Sequence, residues 1–218
     1  MKIINASYEI LTPISDGGIE ELKRIERIGR ICYKSEDYIS EDGESAKRFC
    51  KMLIDCGHEA MLEHSSLSVL FICDRGVSHE IVRHRLASFA QESTRYVNYA
   101  SSKKAPEGIS FIRPLYFEDG SEELREWWTA MSDAEFWYLN QIKLGRKPEE
   151  ARCFLPNSVK TELVMTANYR EWRHFLKLRT DKAAHPQMRE LAIQLLAELQ
   201  SKIPVIFYDI KRDDVTYA

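Results

Sequence analysis

Residues 66–73 form an alternating segment in which one of the two faces changes character along its length. One face is apolar throughout: Leu67, Val69, Phe71 and Cys73. The other face starts with serines and continues with aliphatic side chains: Ser66, Ser68, Leu70 and Ile72. Alternation of period two predicts a β-strand, and the loss of the polar face predicts that this strand enters the core as it proceeds.

Helical patterns occupy much of the remaining chain. Apolar spacing and capping residues predict helices at 19–32, 44–55, 77–86, 121–145, 158–180 and 186–202, and a short helix from Pro148. Further strands are predicted at 2–11 and 109–114. In the helix at 121–145, these side chains are expected to face inward: Leu124, Trp128, Met131, Tyr138 and Ile142. The mixture predicts an α/β (α+β) layer fold rather than a bundle, and the absence of repeats and linkers predicts one domain over 1–218.

The charge is distributed unevenly along the chain. With 44% hydrophobic and 30% charged residues, the composition is that of a globular protein, and the net charge of -3 argues against a nucleic-acid coat protein or a polybasic membrane binder. Residues 83–104 nevertheless contain five Lys or Arg and one Glu, and residues 168–189 contain six Lys or Arg and two acidic residues. Two basic segments in an otherwise acidic chain predict sites for small anionic ligands.

The cysteines predict a reducing compartment. There are five of them, an odd number, and no C-x-x-C pair occurs, so we expect a cytoplasmic protein without a disulfide framework. The longest apolar run, Val69–Cys73, is too short to span a bilayer, and Met1–Thr12 does not resemble a signal peptide. We therefore expect no membrane association.

Residues 83–96 concentrate anion-binding chemistry. They contain three arginines, a histidine, two serines and a Gln-Glu pair. Arginine presents a fixed fork of donors that matches phosphate and carboxylate oxygens, and Ser93 could add a neutral donor. A solvated helix end, in which Arg83 pairs with Glu80 one turn earlier, is the alternative. Because polar residues interrupt apolar ones irregularly, the pattern favours a loop around a ligand.

The segment from Gly57 to His64 combines histidine with glutamate. The H-E-x-x-H zinc pattern requires histidines four apart, whereas His58 and His64 are six apart, and His79 and His84 are five apart. We therefore predict no metal site. Histidines bonded to the backbone at a helix–strand junction are the structural alternative.

Residues 168–179 form a third concentration of functional side chains. On a helix, Arg170, His174 and Lys177 would share one side, while Trp172 and Leu176 would lie on another side and enter the core. Such a helix could form the wall of a pocket for a flat anionic ligand. The chain contains no G-x-G-x-x-G, P-loop or G-x-S-x-G sequence, so the Rossmann, P-loop and nucleophile-elbow sites are not indicated.

These three segments together resemble the flavin-dependent thymidylate synthases. Arg83-His84-Arg85, seven residues and Ser93 match that family's R-H-R-x7-S signature. Gly57–His64 is similar to its G-H-E-x-x-x-E-H block, and residues 168–179, with Arg152 upstream, are similar to its C-terminal N-x-R…L-R block. The resemblance covers about residues 20–190.

The resemblance implies a single domain with a central, mostly antiparallel sheet packed against long helices. It also implies a homotetramer with FAD at the subunit interfaces. The implied reaction is reductive methylation of dUMP to dTMP, with 5,10-methylenetetrahydrofolate as carbon donor, NADPH as reductant of the flavin and no cysteine nucleophile.

The resemblance also implies roles for individual residues. Those expected to contact FAD are Cys32, His58, Glu63, Arg83, His84, Arg85, Leu86, Asn168, Arg170, His174 and His185. Those expected to contact dUMP are Glu80, Arg83, Gln91, Glu92, Ser93, Arg95, Arg152 and Arg179. Arg179 would stabilise charge that develops on uracil, and Ser93 would bind and polarise the substrate, so these two are the expected catalytic residues.

This chain departs from the family pattern at three positions. Ala90-Gln91-Glu92 stands where the family often has Asn-Glu before its signature serine, so either Gln91 or Glu92 could replace that carboxylate. Cys32 and Ala60 occupy positions where serine and threonine are common. A single-stranded nucleic-acid binding protein that uses arginine and aromatic side chains is the main alternative function, and a metal-dependent nucleotide hydrolase is another.

Overall fold

A computed structural model describes residues 1–101, 103 and 105–211; Lys104, part of the first basic segment, lies outside the described residues. The strands are β1 (Lys2–Ile4), β2 (Ser7–Ile10), β3 (Ser66–Asp74), β4 (Ala87–Gln91), β5 (Ser110–Ile112) and β6 (Lys160–Asn168). The α-helices are α1 (Ile19–Ile31), α2 (Glu44–Asp55), α3 (Arg75–Ile81), α4 (Glu122–Lys143), α5 (Pro148–Ala151), α6 (Tyr169–Arg179), α7 (Pro186–Lys202) and α8 (Pro204–Phe207). Short 3-10 helices cover Asp16–Gly18, Glu36–Tyr38, Glu59–His64 and Arg152–Phe154.

Four strands form an antiparallel sheet in the order β2-β3-β6-β4, and β1 pairs in parallel with β5. The predicted α+β fold with a mostly antiparallel central sheet is confirmed. The single strand predicted for 2–11 is in fact two strands, because the chain leaves one pairing after Ile4 and joins another at Ser7.

The helix predicted for 158–180 is wrong over 160–168, where the chain forms β6. Leu163, Val164 and Met165 make a short apolar run, which fits a buried helix or a strand equally well. Nine residues of β6 pair with the nine residues of β3, and alternate β6 side chains enter the core. Tertiary pairing therefore decides the conformation of this segment.

The register of the sheet brings the three concentrations of functional residues together. Ser66, at the start of β3, pairs with Asn168 at the end of β6, and Ala87, at the start of β4, pairs with Ala167. The 3-10 helix before β3, the turn before β4 and the first turn of α6 consequently lie at one end of the sheet.

The main core lies between the sheet and helices α6 and α7. Phe71, Trp172, Phe175 and Leu176 are fully buried, which confirms that Trp172 and Leu176 are core residues. The Trp172 indole N–H donates to the Leu67 carbonyl at 2.9 Å, so α6 is fixed to the sheet by a polar bond as well as by packing.

A second hydrophobic cluster lies under α4 and includes Phe111, Met131 and Tyr138. Met131 and Tyr138 face inward as predicted, but Trp128 is 53% exposed. Trp127 is the half-buried tryptophan, and its indole N–H donates to Ser158 Oγ at 3.1 Å. Among the described residues, no helix has the length and apolar character needed to cross a membrane.

Candidate active site

A cleft of about 580 Å³ opens beside the first turns of α6. Its lining, which we term the α6 cleft, consists of Glu59, Glu63, Leu86, Asn168, Arg170, Glu171, His174 and Lys177. Five of the eight are residues expected from sequence to contact FAD: Glu63, Leu86, Asn168, Arg170 and His174. The cleft therefore combines residues from all three sequence segments.

The capping of α6 explains how these side chains are presented. Asn168 ends β6 and accepts a hydrogen bond from the Glu171 backbone N–H at 2.8 Å, which is the geometry of a side-chain N-cap. The helix then exposes Arg170, His174 and Lys177 on one side, as the sequence predicts. Arg170 donates to Glu63 at 2.6 Å and so joins the helix to the 3-10 segment before β3.

Glu80, Arg179, His84 and Glu171 form a continuous set of polar contacts, which we term the buried network. Arg179 donates from Nη1 to Glu80 Oε2 at 2.8 Å, from Nη2 to the Glu80 carbonyl at 2.9 Å and from Nε to His84 Nε2 at 3.2 Å. His84 Nδ1 lies 3.1 Å from Glu171 Oε1. The solvated-helix alternative required Glu80 to pair with Arg83. Within the described residues, Glu80 pairs with Arg179 instead.

The environment of His84 favours its neutral form. Burial lowers the pKa of the His84 imidazole, and the positive charge of Arg179 lowers it further, whereas the hydrogen bond to Glu171 has the opposite effect. The ring also packs edge-on against Phe175, with 4.9 Å between ring centroids. His84 is therefore a buried and oriented link between α6 and the turn before β4, in surroundings that disfavour its charged form.

Arg83 and Arg85 flank His84 and are both exposed. Arg85 lines a neighbouring groove of about 310 Å³ that shares Leu86 and Asn168 with the α6 cleft. His84 is the buried residue of the turn at 82–86, and the two charged side chains that flank it lie in solvent.

A second cleft, of about 460 Å³, is lined by Arg75, Thr94, Glu149, Arg152, Cys153, Leu155, Pro156 and Asn157; we term it the arginine pocket. Arg152 makes one long contact with the residues that the structure describes, from Nη1 to Thr94 Oγ1 at 3.4 Å. Arg95 reaches Glu149 at 3.4 Å, and the Ser93 hydroxyl accepts from the Arg95 backbone N–H at 3.3 Å. Three predicted dUMP residues, Ser93, Arg95 and Arg152, thus lie in or beside this pocket.

Arg75 is a residue of this pocket that the sequence analysis missed. Its Nη1 nitrogen is buried and has no hydrogen-bond partner among the described residues. A buried guanidinium nitrogen without an acceptor costs folding free energy, and a bound anion would supply that acceptor. The available signal was its position directly after the buried strand, where polar side chains meet at the edge of a sheet.

The structure distinguishes Gln91 from Glu92. The Gln91 amide donates to Ser78 Oγ at 2.9 Å and to Thr161 Oγ1 at 3.2 Å, and so it faces α3. Glu92 accepts instead from the Tyr99 hydroxyl at 2.6 Å and from Lys160 at 2.9 Å, beside a separate cleft. Successive residues of an extended chain point in opposite directions, so Gln91 faces α3 and Glu92 faces away from it.

Six predicted FAD residues are not part of the α6 cleft lining: Arg83, His84 and Arg85, described above, and Cys32, His58 and His185. Cys32 directly follows α1 and is exposed, and His58 precedes the 3-10 helix at Glu59–His64 and is also exposed. His185 caps α7, where its Nδ1 accepts from the Gln187 backbone N–H at 3.3 Å. Their predicted contacts would need a ligand that extends beyond this cleft or a second copy of the chain.

One group of side chains in the described part of the chain has the spacing to hold a metal ion: His84, Glu171 and His174. Both ring nitrogens of His84 already have protein partners, and the adjacent Arg179 guanidinium repels a cation. His84 and Glu171 are better explained as members of the buried network, and His174 as an exposed residue of the α6 cleft.

Comparison with known proteins agrees with this geometry. Residues 19–205 match the family model described as thymidylate synthase complementing protein. A flavin-dependent thymidylate synthase from Mycobacterium marinum is 34% identical over 218 residues, covering 92% of this chain and 82% of the relative, and one from Corynebacterium aurimucosum is 32% identical over 213 residues, covering 90% and 82%.

A solved structure with the same fold is a UMP/dUMP methylase, PolB, from Streptomyces cacaoi bound with 5-Br dUMP. It superposes with a TM-score of 0.76 at 20% identity and covers 95% of this chain and 96% of its own. The family model and the relatives together cover most of the sequence, including all three functional segments. The chain therefore belongs to the thymidylate synthase complementing protein family, that of the flavin-dependent thymidylate synthases.

Proposed function

We propose that this protein methylates dUMP to dTMP. In this proposal FAD is the bound cofactor, 5,10-methylenetetrahydrofolate gives the carbon, NADPH is the reductant and no cysteine acts as nucleophile. Family membership supports the reaction class, as do the names of the relatives and of the structural neighbour. A cytoplasmic location remains a prediction from the cysteine content.

The observation that carries the proposal is that α3 connects the two arginine environments. Arg75 at its start belongs to the arginine pocket, and Glu80 near its end holds Arg179. Five residues of helix rise by about 8 Å, which is comparable to the separation of phosphate and base in a mononucleotide. A single dUMP could thus place its phosphate at Arg75 and Arg152 and its uracil near Arg179.

The chemistry of the side chains suits that orientation. A phosphate dianion is bound best by guanidinium forks, which Arg75, Arg95 and Arg152 supply, and Ser93 adds a hydroxyl. At the base, uracil C5 becomes nucleophilic as electron density moves to the carbonyl oxygens. Three of the five N–H donors of Arg179 bind Glu80 and His84, so, as far as the described residues go, two remain to stabilise that developing charge.

The residues of the α6 cleft fit a flavin. The cleft volume of about 580 Å³ lies in the usual range for ligand sites, and its walls combine an imidazole, an amide and guanidinium donors with the exposed Leu86 side chain. Exposed Arg85 in the adjoining groove supplies further positive charge for a diphosphate. Bound FAD would supply the redox chemistry, while Asn168, Arg170 and His174 would hold and orient it.

A homotetramer with several chains at each site is part of the proposal. Cys32, His58, Arg83 and His185 are exposed, and none of them lines the α6 cleft. Residues that serve the same cofactor but lie apart on one chain are brought together when copies of the chain associate. In this proposal each of the four copies is a single domain over residues 1–218.

Two of the five cysteines, Cys50 and Cys73, are buried and unsuited to act as nucleophiles. Burial raises the pKa of Cys73 and raises that of Cys50 to about 12, so neither thiol ionises readily. Cys153 is exposed and lines the arginine pocket, which makes it the informative position for a test. We expect Cys153→Ser to retain dTMP formation within about twofold, because serine keeps the shape and polarity of the side chain. Complete inactivity with normal dUMP binding would contradict this part of the proposal.

The experiment that tests the function combines a spectrum with a turnover assay. The purified protein, with FAD added if necessary, should show a flavin band near about 450 nm and should release tritium from [5-³H]dUMP when all co-substrates are present. A protein that takes up no FAD and releases no tritium would overturn the proposal. Strong binding of single-stranded nucleic acid that collapses with salt would instead favour the alternative function.

A further inference from the structure

We propose that Glu171 is a positioning residue that acts through His84 to hold the Arg179 guanidinium in place for the uracil base. This inference rests on the proposed function for the identity of the substrate. Glu171 is absent from the residues that the family resemblance implies, and its role follows from the contacts of the buried network.

Glu171 is held firmly at the start of the chain of contacts. It lies in the first turn of α6, its backbone N–H is bound by Asn168, and only 6% of the residue is exposed. A carboxylate in this position can only accept hydrogen bonds. The nearest ring nitrogen, His84 Nδ1 at 3.1 Å, must therefore carry the proton that lies between them.

The tautomer of His84 then decides what Arg179 can do. With the proton on Nδ1, the neutral ring leaves Nε2 as an acceptor, and Arg179 Nε donates to it at 3.2 Å. With the proton on Nε2, two N–H groups would face each other and this bond would be lost. Glu171 thus selects the tautomer that accepts from Arg179.

Arg179 is anchored on its other side by Glu80. The carboxylate and carbonyl of Glu80 fix Nη1 and Nη2, but bonds to one residue alone leave the guanidinium plane free to pivot about that residue. The bond to His84 adds a third point, on a different element, and three points define the plane. The charged and titratable groups around His84 are Glu171, His174 and Arg179 on α6, with Glu80 behind Arg179 on α3.

The test compares Glu171→Ala and Glu171→Gln with Glu44→Ala, which removes an exposed acidic residue from the first turn of a different helix. Ring ¹⁵N shifts of labelled histidine report the His84 tautomer, with His84→Gln used to assign its signals. Glutamine can still accept from Nδ1–H, so Glu171→Gln should keep the tautomer and a kcat within about threefold of the wild type. Loss of the negative charge should move the acid limb of its pH profile to lower pH.

In Glu171→Ala only Arg179 still favours the proton on Nδ1, so we expect the Nε2–H tautomer to appear beside the Nδ1–H tautomer. We expect kcat to fall by roughly tenfold, with a smaller change in KM for dUMP, because the bond between His84 and Arg179 is then lost part of the time. An unchanged tautomer in Glu171→Ala, or equal loss of kcat in Glu171→Ala and Glu171→Gln, would overturn the proposal. If the wild type converts no dUMP, the proposed function fails. The role of Glu171 is then still tested by the His84 tautomer and by the Arg179 Nε–H resonance in the Glu171 variants.

Discussion

The buried network and the arginine pocket use arginine in opposite ways. In the buried network, the Arg179 side chain is 13% exposed and three of its donors bind protein atoms. In the arginine pocket, Arg152 is exposed and makes one contact of 3.4 Å with the described residues, and Arg75 has a nitrogen without a partner among them. The first arrangement orients a cation in advance, and the second keeps donors available for an anion that arrives from solvent.

The largest expected effect is the loss of dUMP affinity when a guanidinium of the arginine pocket is removed. We expect Arg152→Ala to weaken dUMP binding by about 100-fold, because a bidentate, charge-assisted pair with phosphate would be lost. Titration calorimetry measures this, with Arg146→Ala as the control, since Arg146 is exposed and its ion pair within the described part of the chain is with Glu150 at 3.8 Å. Similar affinities for the two variants would show that the arginine pocket is not the phosphate site.

A smaller loss of affinity is expected at the arginine that the sequence analysis missed. Arg75→Met should weaken dUMP binding by roughly tenfold, since methionine fills the space but offers no donor. Binding of deoxyuridine, which has no phosphate, should change little. A parallel loss for both ligands would mean that Arg75 supports the fold and does not bind phosphate.

Acid pH should affect the buried network more than the arginine pocket. The pKa of His84 is lowered in the folded state, so its stabilising contribution is present above the unfolded pKa of about 6.5 and is lost as pH falls toward the folded pKa. Between pH 7.5 and pH 5.5, the free energy of unfolding measured with urea should fall less for His84→Gln than for the wild type. His79→Gln, at an exposed position of α3, should behave like the wild type.

The smallest expected effect is a gain of affinity. Arg95 is held by Glu149 through two exposed contacts of 3.4 Å, and exposed ion pairs of this kind contribute little free energy. Removing the carboxylate in Glu149→Ala should release the guanidinium and tighten dUMP binding by about threefold. Weaker binding in this variant would indicate that Glu149 positions Arg95 for the phosphate.

The sequence predicts the local segments of the site but not how they come together. Arg83–Ser93, Gly57–His64 and Asn168–Arg179 are each recognisable in the sequence, and most of the α6 cleft follows from them. Their meeting point depends on the pairing of β3 with β6, and the periodicity of 160–168 predicts a helix there instead. Sequence patterns report local repeats, whereas this register is set by long-range pairing.

Individual roles depended on directions that sequence spacing does not give. Gln91 and Glu92 are equivalent candidates in the sequence, and only the direction of each side chain relative to β6 and α3 separates them. Arg75 belongs to no recognisable motif, and its place in the arginine pocket becomes evident only when α5 and residues 152–157 are placed beside it.

The most direct test of the proposed function is formation of dTMP from dUMP by the FAD-loaded protein, measured by chromatography of the nucleotides. We predict dTMP only when 5,10-methylenetetrahydrofolate and NADPH are both present, and at least tenfold less with Arg152→Ala at dUMP concentrations below the wild-type KM. Protein that holds FAD and binds dUMP but forms no dTMP under these conditions would contradict the account.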